Sequence, residues 1–168
     1  MKRIVGLVLV VFCLCLSVTL AAIPDKPSAK EWYDKGNYYT STQDYEKAIE
    51  AYTKALNIDP EYIDAYNYRG NVYSSLRRYI FAIQDYTKAI EINQYYANGY
   101  YNRGNAYSDL NQWNQAIQDY TKAIEINSKD AEAYNNRGIA YVSLNQINRA
   151  IEDYTKAIEI NPQFAQAY

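Results

Sequence analysis

The sequence predicts an all-α protein built as a solenoid of four antiparallel helix hairpins. Three observations predict it. Glycines recur 34 residues apart at Gly36, Gly70, Gly104 and Gly138, and alanines keep that step at Ala48, Ala82, Ala116 and Ala150 and again at Ala55, Ala89, Ala123 and Ala157. Within a unit the spacing is helical, as at Tyr66, Gly70 and Tyr73 (i, i+4, i+7) and at Ala82, Tyr86, Ala89 and Ile90. Only a short polar break such as Asn111-Gln112 separates the two runs of a unit, and breaks this short make neighbouring helices antiparallel. One hairpin cannot bury both of its faces, so stacking must complete the core.

The chain opens with MKRIVGLVLVVFCLCLSVTLAA, residues 1–22. Lys2 and Arg3 precede an uncharged run from Ile4 to Ile23, and small residues follow at Ala21 and Ala22, in the order of a secretory signal peptide. Two other readings stay open. The run is long enough for an uncleaved membrane anchor. A lipoprotein signal is the third, although Phe12 and Leu14 precede Cys13 and Cys15 where such signals take a small residue. Each reading exports the rest of the chain to the periplasm, the cell envelope or the medium, and membrane contact is expected only through residues 1–22. Residues 23–28, IPDKPS, read as a short extended linker.

The units then run 29–62, 63–96, 97–130 and 131–164. Glycine inside a helix costs about 1 kcal/mol relative to alanine. Glycines kept at one phase therefore need a compensation. The expected one is close approach of a neighbouring backbone, with tyrosines filling the gaps between hairpins. Each second helix ends at an Asn or Asp turn, with proline following at Pro60 and Pro162. Ala165-Gln166-Ala167-Tyr168 repeats the opening of a unit and reads as the start of a truncated further repeat. The last second helix, with Ile151, Ile158 and Phe164, is expected to expose apolar surface suited to end-on self-association.

Two charge series follow the period. Arg69, Arg103 and Arg137 precede the glycines, and Asp85, Asp119 and Asp153 precede the second-helix tyrosines. Unit one has Lys35 and Ala51 at those places, so both signals vanish together. An Arg–Asp pair within each of the other hairpins is expected, with bidentate geometry open to it. Asp85–Lys88, Asp119–Lys122 and Asp153–Lys156 (i, i+3) and Glu50–Lys54 (i, i+4) read as weak surface pairs.

Composition narrows the function. With 49% hydrophobic and 21% charged residues the chain is not of the disordered class. Removing Lys2 and Arg3 takes the formal charge from −2 to −4, and no basic stripe exists, so nucleic acid is not an expected partner. There is no His, and both cysteines lie before residue 22. The body of the chain thus lacks the usual zinc and copper ligands, a thiol nucleophile and an imidazole base. No enzymatic activity, catalytic residue, metal or cofactor is expected. The 21 Tyr suit half-buried seams or wet binding surfaces.

The 34-residue pattern resembles the tetratricopeptide repeat family, through Trp32, Gly36, Tyr39, Ala48, Tyr52, Ala55 and Pro60 in unit one and nearly the same set in the others. Gln94 and Ser128 stand where that family ends a unit with proline. The resemblance implies a right-handed superhelix whose first helices line a concave groove for a protein or peptide. Groove candidates are Tyr33, Asn37, Asn67, Asn71, Tyr101, Asn105 and Asn135, with Asn102 and Asn136 beside them. Amides can donate to and accept from a peptide backbone, and tyrosines add contact area at low entropic cost. Family members that bind chaperone tails use a clamp of Lys, Asn, Asn, Lys and Arg. On units two to four it maps to Asn67, Asn71, Asn102, Glu132 and Asn136, so the amides match and every basic position fails. A neutral or mildly basic partner is expected. The reading is a non-catalytic interaction scaffold, exported to the envelope. A membrane-tethered assembly factor is the alternative, and an accessory domain of an enzyme a third.

Overall fold

The computed structural model describes residues 26–163, so the export segment, the first half of the linker and residues 164–168 lie outside the described residues. Eight helices follow in chain order: α1 (Ala29–Ser41), α2 (Tyr45–Ile58), α3 (Ile63–Ser75), α4 (Tyr79–Ile92), α5 (Ala97–Asp109), α6 (Trp113–Ile126), α7 (Ala131–Ser143) and α8 (Ile147–Ile160). Every unit pairs a 13-residue helix with a 14-residue one. The fold is the expected all-α solenoid of hairpins.

The helix ends repeat with the same period. At α1, the Ser28 hydroxyl accepts from the Glu31 amide at 3.2 Å and the Glu31 carboxylate accepts from the Ser28 amide at 2.7 Å, a capping box. Each first helix stops with one residue in the left-handed region: Gln43 (φ 59°), Arg77 (56°), Asn111 (57°) and Asn145 (58°). The amide of Arg77 donates to Ser74 and that of Arg78 to Tyr73, both at 2.8 Å, and these two bonds close the helix and send the chain back. Each second helix stops at Asp59, Asn93, Asn127 or Asn161, whose side-chain oxygen accepts from the amide two residues on at 2.9–3.2 Å.

Packing orders the helices into two layers. Each second helix lies against its own first helix, and α2, α4 and α6 also lie against the next one, as α4 does against α3 and α5. Neighbouring first helices touch (α1 with α3, α3 with α5, α5 with α7), whereas no two second helices do. A stack whose first helices meet while its second helices splay must curve with the first helices inside.

The core corrects one expectation. The phased glycines accommodate a ring, not a neighbouring backbone. The ring of Tyr52 lies against Gly36, and a Cβ built on Gly70, Gly104 or Gly138 would stand 2.6, 2.8 or 2.6 Å from the ring of Tyr86, Tyr120 or Tyr154. These tyrosines fill space within hairpins, and Tyr52 and Tyr86 also share core clusters with Val72 and Ala106 of the next hairpin. Tyr52, Tyr86 and Tyr120 are the largest fully buried side chains. Burying a ring of this size is worth on the order of 2–3 kcal/mol if its hydroxyl keeps a partner, which outweighs the glycine's helix penalty.

The Arg–Asp pairs form as expected. Arg69 Nε and Nη2 donate to Asp85 at 2.8 and 2.7 Å, Arg103 to Asp119 at 2.7 and 2.8 Å, and Arg137 to Asp153 at 2.8 and 2.7 Å. Each Nη1 also donates to a threonine of the preceding unit, Thr53, Thr87 or Thr121, at 2.8–3.0 Å. One guanidinium therefore closes its own hairpin and ties it to the previous one. The expected Asp85–Lys88, Asp119–Lys122 and Asp153–Lys156 pairs are absent as a result. The aspartates face inward, and Lys88, Lys122 and Lys156 pair with Glu91, Glu125 and Glu159 at 2.6–2.8 Å. Glu50–Lys54 forms at 2.6 Å.

Candidate peptide-binding groove

The inner face of the first-helix layer carries a ladder of amides. Asn37, Asn71 and Asn105 each accept the hydroxyl proton of a core tyrosine (Tyr52, Tyr86, Tyr120) at 2.8 Å. Asn102 Nδ2 donates to Asn67 Oδ1 at 2.9 Å, and Asn136 Nδ2 donates to Asn105 Oδ1 and to the Tyr101 hydroxyl at 3.1 Å. Tyr101 donates to Glu132 at 3.1 Å, and Asn135 donates to Asn136 at 3.3 Å. Apart from Asn67 the candidates are part-exposed on this face, and each amide already uses at least one of its hydrogen-bonding groups. Asn67 is only 5% exposed and lies beneath that surface. Asn71 holds the hydroxyl of Tyr86, whereas that of Tyr52 also has Thr40 at 3.2 Å and that of Tyr120 also has Ser108.

Tyr33 belongs to an aromatic cluster, with ring centroids 5.0 Å from Tyr62, 5.6 Å from Tyr68 and 5.9 Å from Tyr52. Burial pushes its phenol up to about 12, opposed by a hydrogen bond from Asn37. Burial likewise lifts Tyr101 to about 12.

Two groove positions escaped the sequence reading. Tyr68, 40% exposed, occupies the place of Asn102 and Asn136 in unit two, and Ile139, 42% exposed, the place of Asn37, Asn71 and Asn105 in unit four. Counting along the 34-residue phase would have found both; a search for amides passes over them. Half-buried amides thus run along the whole inner face (Asn37, Asn71, Asn105, Asn136), with Tyr68 exposed among them in unit two and Ile139 and Val142 exposed in unit four. An open depression of about 300 Å³ lies between α5 and α7, lined by Asn105, Ser108, Asp109, Tyr120, Asn136 and Ile139. Among the described residues, no three His, Cys, Asp or Glu side chains converge in a way that could hold a metal ion.

The profile described as TPR repeat matches residues 36–76 and 104–145, and two described as tetratricopeptide repeat match 63–96 and 131–164, and 85–118. The chain belongs to the tetratricopeptide repeat family. Among solved structures, a crystal structure of MamA is similar with a TM-score of 0.77 and 27% identity, over 82% of this chain and 81% of that one. The first TPR of Spaghetti (RPAP3), bound to the HSP90 peptide SRMEEVD, is similar with a TM-score of 0.68 and 29% identity, over 70% of this chain and 93% of that one. MamA from Desulfovibrio magneticus RS-1 shares the fold at 22% identity, with a TM-score of 0.75 over 81% of this chain and 77% of that one. No curated protein matches the sequence. Tetratricopeptide repeats are protein-interaction modules, and this array is a protein–protein interaction scaffold by family and fold.

Proposed function

We propose that the array holds an extended peptide segment of a partner protein along its first-helix surface, without catalysing a reaction, and that residues 1–22 direct it to the cell envelope. The observation that carries the groove reading is the make-up of the inner face: half-buried amides in every unit, with Tyr68 exposed at unit two and Ile139 and Val142 at unit four, on one concave strip. An extended chain lying on it meets amides along its length, an exposed ring at Tyr68 and an apolar shelf at Ile139 and Val142. The RPAP3 domain, similar in fold, has a peptide bound. Here, however, the positions that hold an acidic terminus in such a clamp are Asn67, Glu132 and Asn136. The groove therefore favours a neutral or mildly basic segment.

The test must avoid Asn71 and Asn105, since their loss would also remove a hydrogen bond from the core hydroxyls of Tyr86 and Tyr120. Tyr68→Ala with Ile139→Ser alters exposed groove surface. Proteins retained from an envelope fraction by the wild-type array are identified by mass spectrometry, and the affinity of the leading one is measured against the variant. A drop of about ten-fold or more is expected, the scale of losing a central aromatic and an apolar anchor. Undiminished affinity places the partner on another face. N-terminal sequencing of the mature protein tests export, and an intact Met1 would refute cleavage.

A further inference from the structure

The pocket beside Trp32 carries the next inference, because unit one lacks what the other units put there. In units two to four, an arginine of the first helix grips a buried aspartate of the second and lies over a tyrosine ring, as Arg69 does at 5.7 Å from Tyr66. In unit one the aromatic is Trp32, the cation is Lys35 and the aspartate is replaced by Ala51. A second carboxylate is missing as well, because Asn57 stands where Glu91, Glu125 and Glu159 pair with lysines. The cations stay and two of the carboxylates that balance them elsewhere do not.

The remaining groups gather round one ring. Lys35 Nζ and Lys54 Nζ both lie 4.3 Å from the Trp32 ring centre. Lys54 pairs with Glu50, and Lys47 pairs with Asp44. Lys35 is exposed and has no carboxylate in ion-pair range among the described residues. Glu31, one turn earlier, is committed to capping Ser28. A depression of about 200 Å³ opens here, lined by Trp32, Lys35, Tyr39, Lys47, Glu50, Ala51 and Lys54. Trp32, Lys35 and Tyr39 lie on the face of α1 opposite Tyr33 and Asn37, so this place is separate from the groove.

We propose that this depression is a receptor for a carboxylate carried by a partner peptide, which takes over from outside the role that Asp85, Asp119 and Asp153 fill within their own units. Lys35 supplies the charge-assisted hydrogen bond. Trp32 and Tyr39 form apolar walls, and the small side chain of Ala51 leaves the room. The carboxylate comes from an acidic side chain or from a chain end.

The test follows the Trp32 indole N–H by nuclear magnetic resonance on the folded protein, with Trp113 as internal control. The probes are acetyl-Gly-Glu-Gly-amide, acetyl-Gly-Gly-Gly with a free terminus, acetyl-Gly-Gln-Gly-amide and inorganic phosphate. A saturable shift at Trp32 is expected with the carboxylate peptides and not with the Gln peptide. The tighter of the two acids distinguishes a side chain from a chain end. Lys35→Met weakens binding by about ten-fold, the scale of one charge-assisted bond. Ala51→Asp abolishes it by restoring the internal pair. The proposal is overturned if the Gln peptide binds as well as the acids, or if phosphate saturates the shift and neither acid does. It also fails if Ala51→Asp keeps wild-type thermal stability and still binds. Should Ala51→Asp not fold, undiminished binding to Lys35→Met overturns it. The Tyr68→Ala, Ile139→Ser protein is expected to respond as wild type at Trp32, so failure of the groove reading and failure of this one give different results.

Discussion

At the scale of single residues, the arginine staples show how much hangs on one side chain. Arg69 makes two bonds to Asp85 and one to Thr53, and both charges are largely removed from water, with side-chain exposures of 16% and 7%. Burial is the larger influence on Asp85 and Asp119, lifting both carboxyls above the ordinary aspartate value against the pull of the arginines. Such a pair orders the hairpins more than it stabilises them. Arg69→Met should destabilise the array by about 3–5 kcal/mol, because Asp85 is left buried and uncompensated, while Arg69→Met with Asp85→Leu should recover most of that loss. Urea unfolding of the two variants decides it. A double variant as unstable as the single one would show that the pair is a net stabiliser.

At the scale of elements, the turns within hairpins are the strained parts. The left-handed residues Gln43, Arg77, Asn111 and Asn145 share one conformation, and none is glycine. Asparagine tolerates that region, whereas a long side chain pays roughly 1 kcal/mol there. Arg77→Gly should therefore raise stability by up to about 1 kcal/mol, less whatever the freer unfolded chain takes back. Asn111→Gly should gain less. Thermal melts of both variants test the order, and an unchanged or lowered midpoint for Arg77→Gly contradicts the strain. Sequence could place these turns, since two polar residues break the helical pattern. It could not show their handedness, because Gln43 and Arg77 carry no signal for it.

At the scale of the whole molecule, stability is distributed along a line. The buried residues form small clusters, such as Ala48, Tyr52 and Val72, or Ala82, Tyr86 and Ala106, each shared between neighbouring units. The array is thus a sum of hairpins and interfaces. The rings in this line make it sensitive to base. Burial raises the phenols of Tyr33, Tyr96 and Tyr101 to about 12 and those of Tyr86 and Tyr120 further. Their unfolded value is near 10, so the unfolded chain loses these protons first. The contribution they make is fully present below pH 10 and falls as pH rises through 10 to 12. Melting temperature should hold up to about pH 9 and then drop steeply, and a midpoint unchanged at pH 11 would contradict the burial of these hydroxyls.

The division between sequence and tertiary structure follows from what a period can carry. A 34-residue recurrence of Gly, Ala and Tyr specifies eight helices, their pairing and the stacking, because spacing along a helix dictates which residues share a face. The Arg–Asp pairs were legible for the same reason: both members vanish in one unit. What a neighbour does was not legible. That the glycines face rings, that Thr53, Thr87 and Thr121 receive the arginines, and that Asp85 turns inward instead of toward Lys88 depend on distances between helices. The groove divides likewise. Its amides were visible as a composition, yet only packing decided that Asn37, Asn71 and Asn105 each accept from a core tyrosine hydroxyl. It also left Tyr68 and Ile139 on the surface, because a side chain's partner across a hairpin lies about 15 residues away (as Tyr52 does from Asn37) and is chosen by geometry rather than by neighbours in the chain.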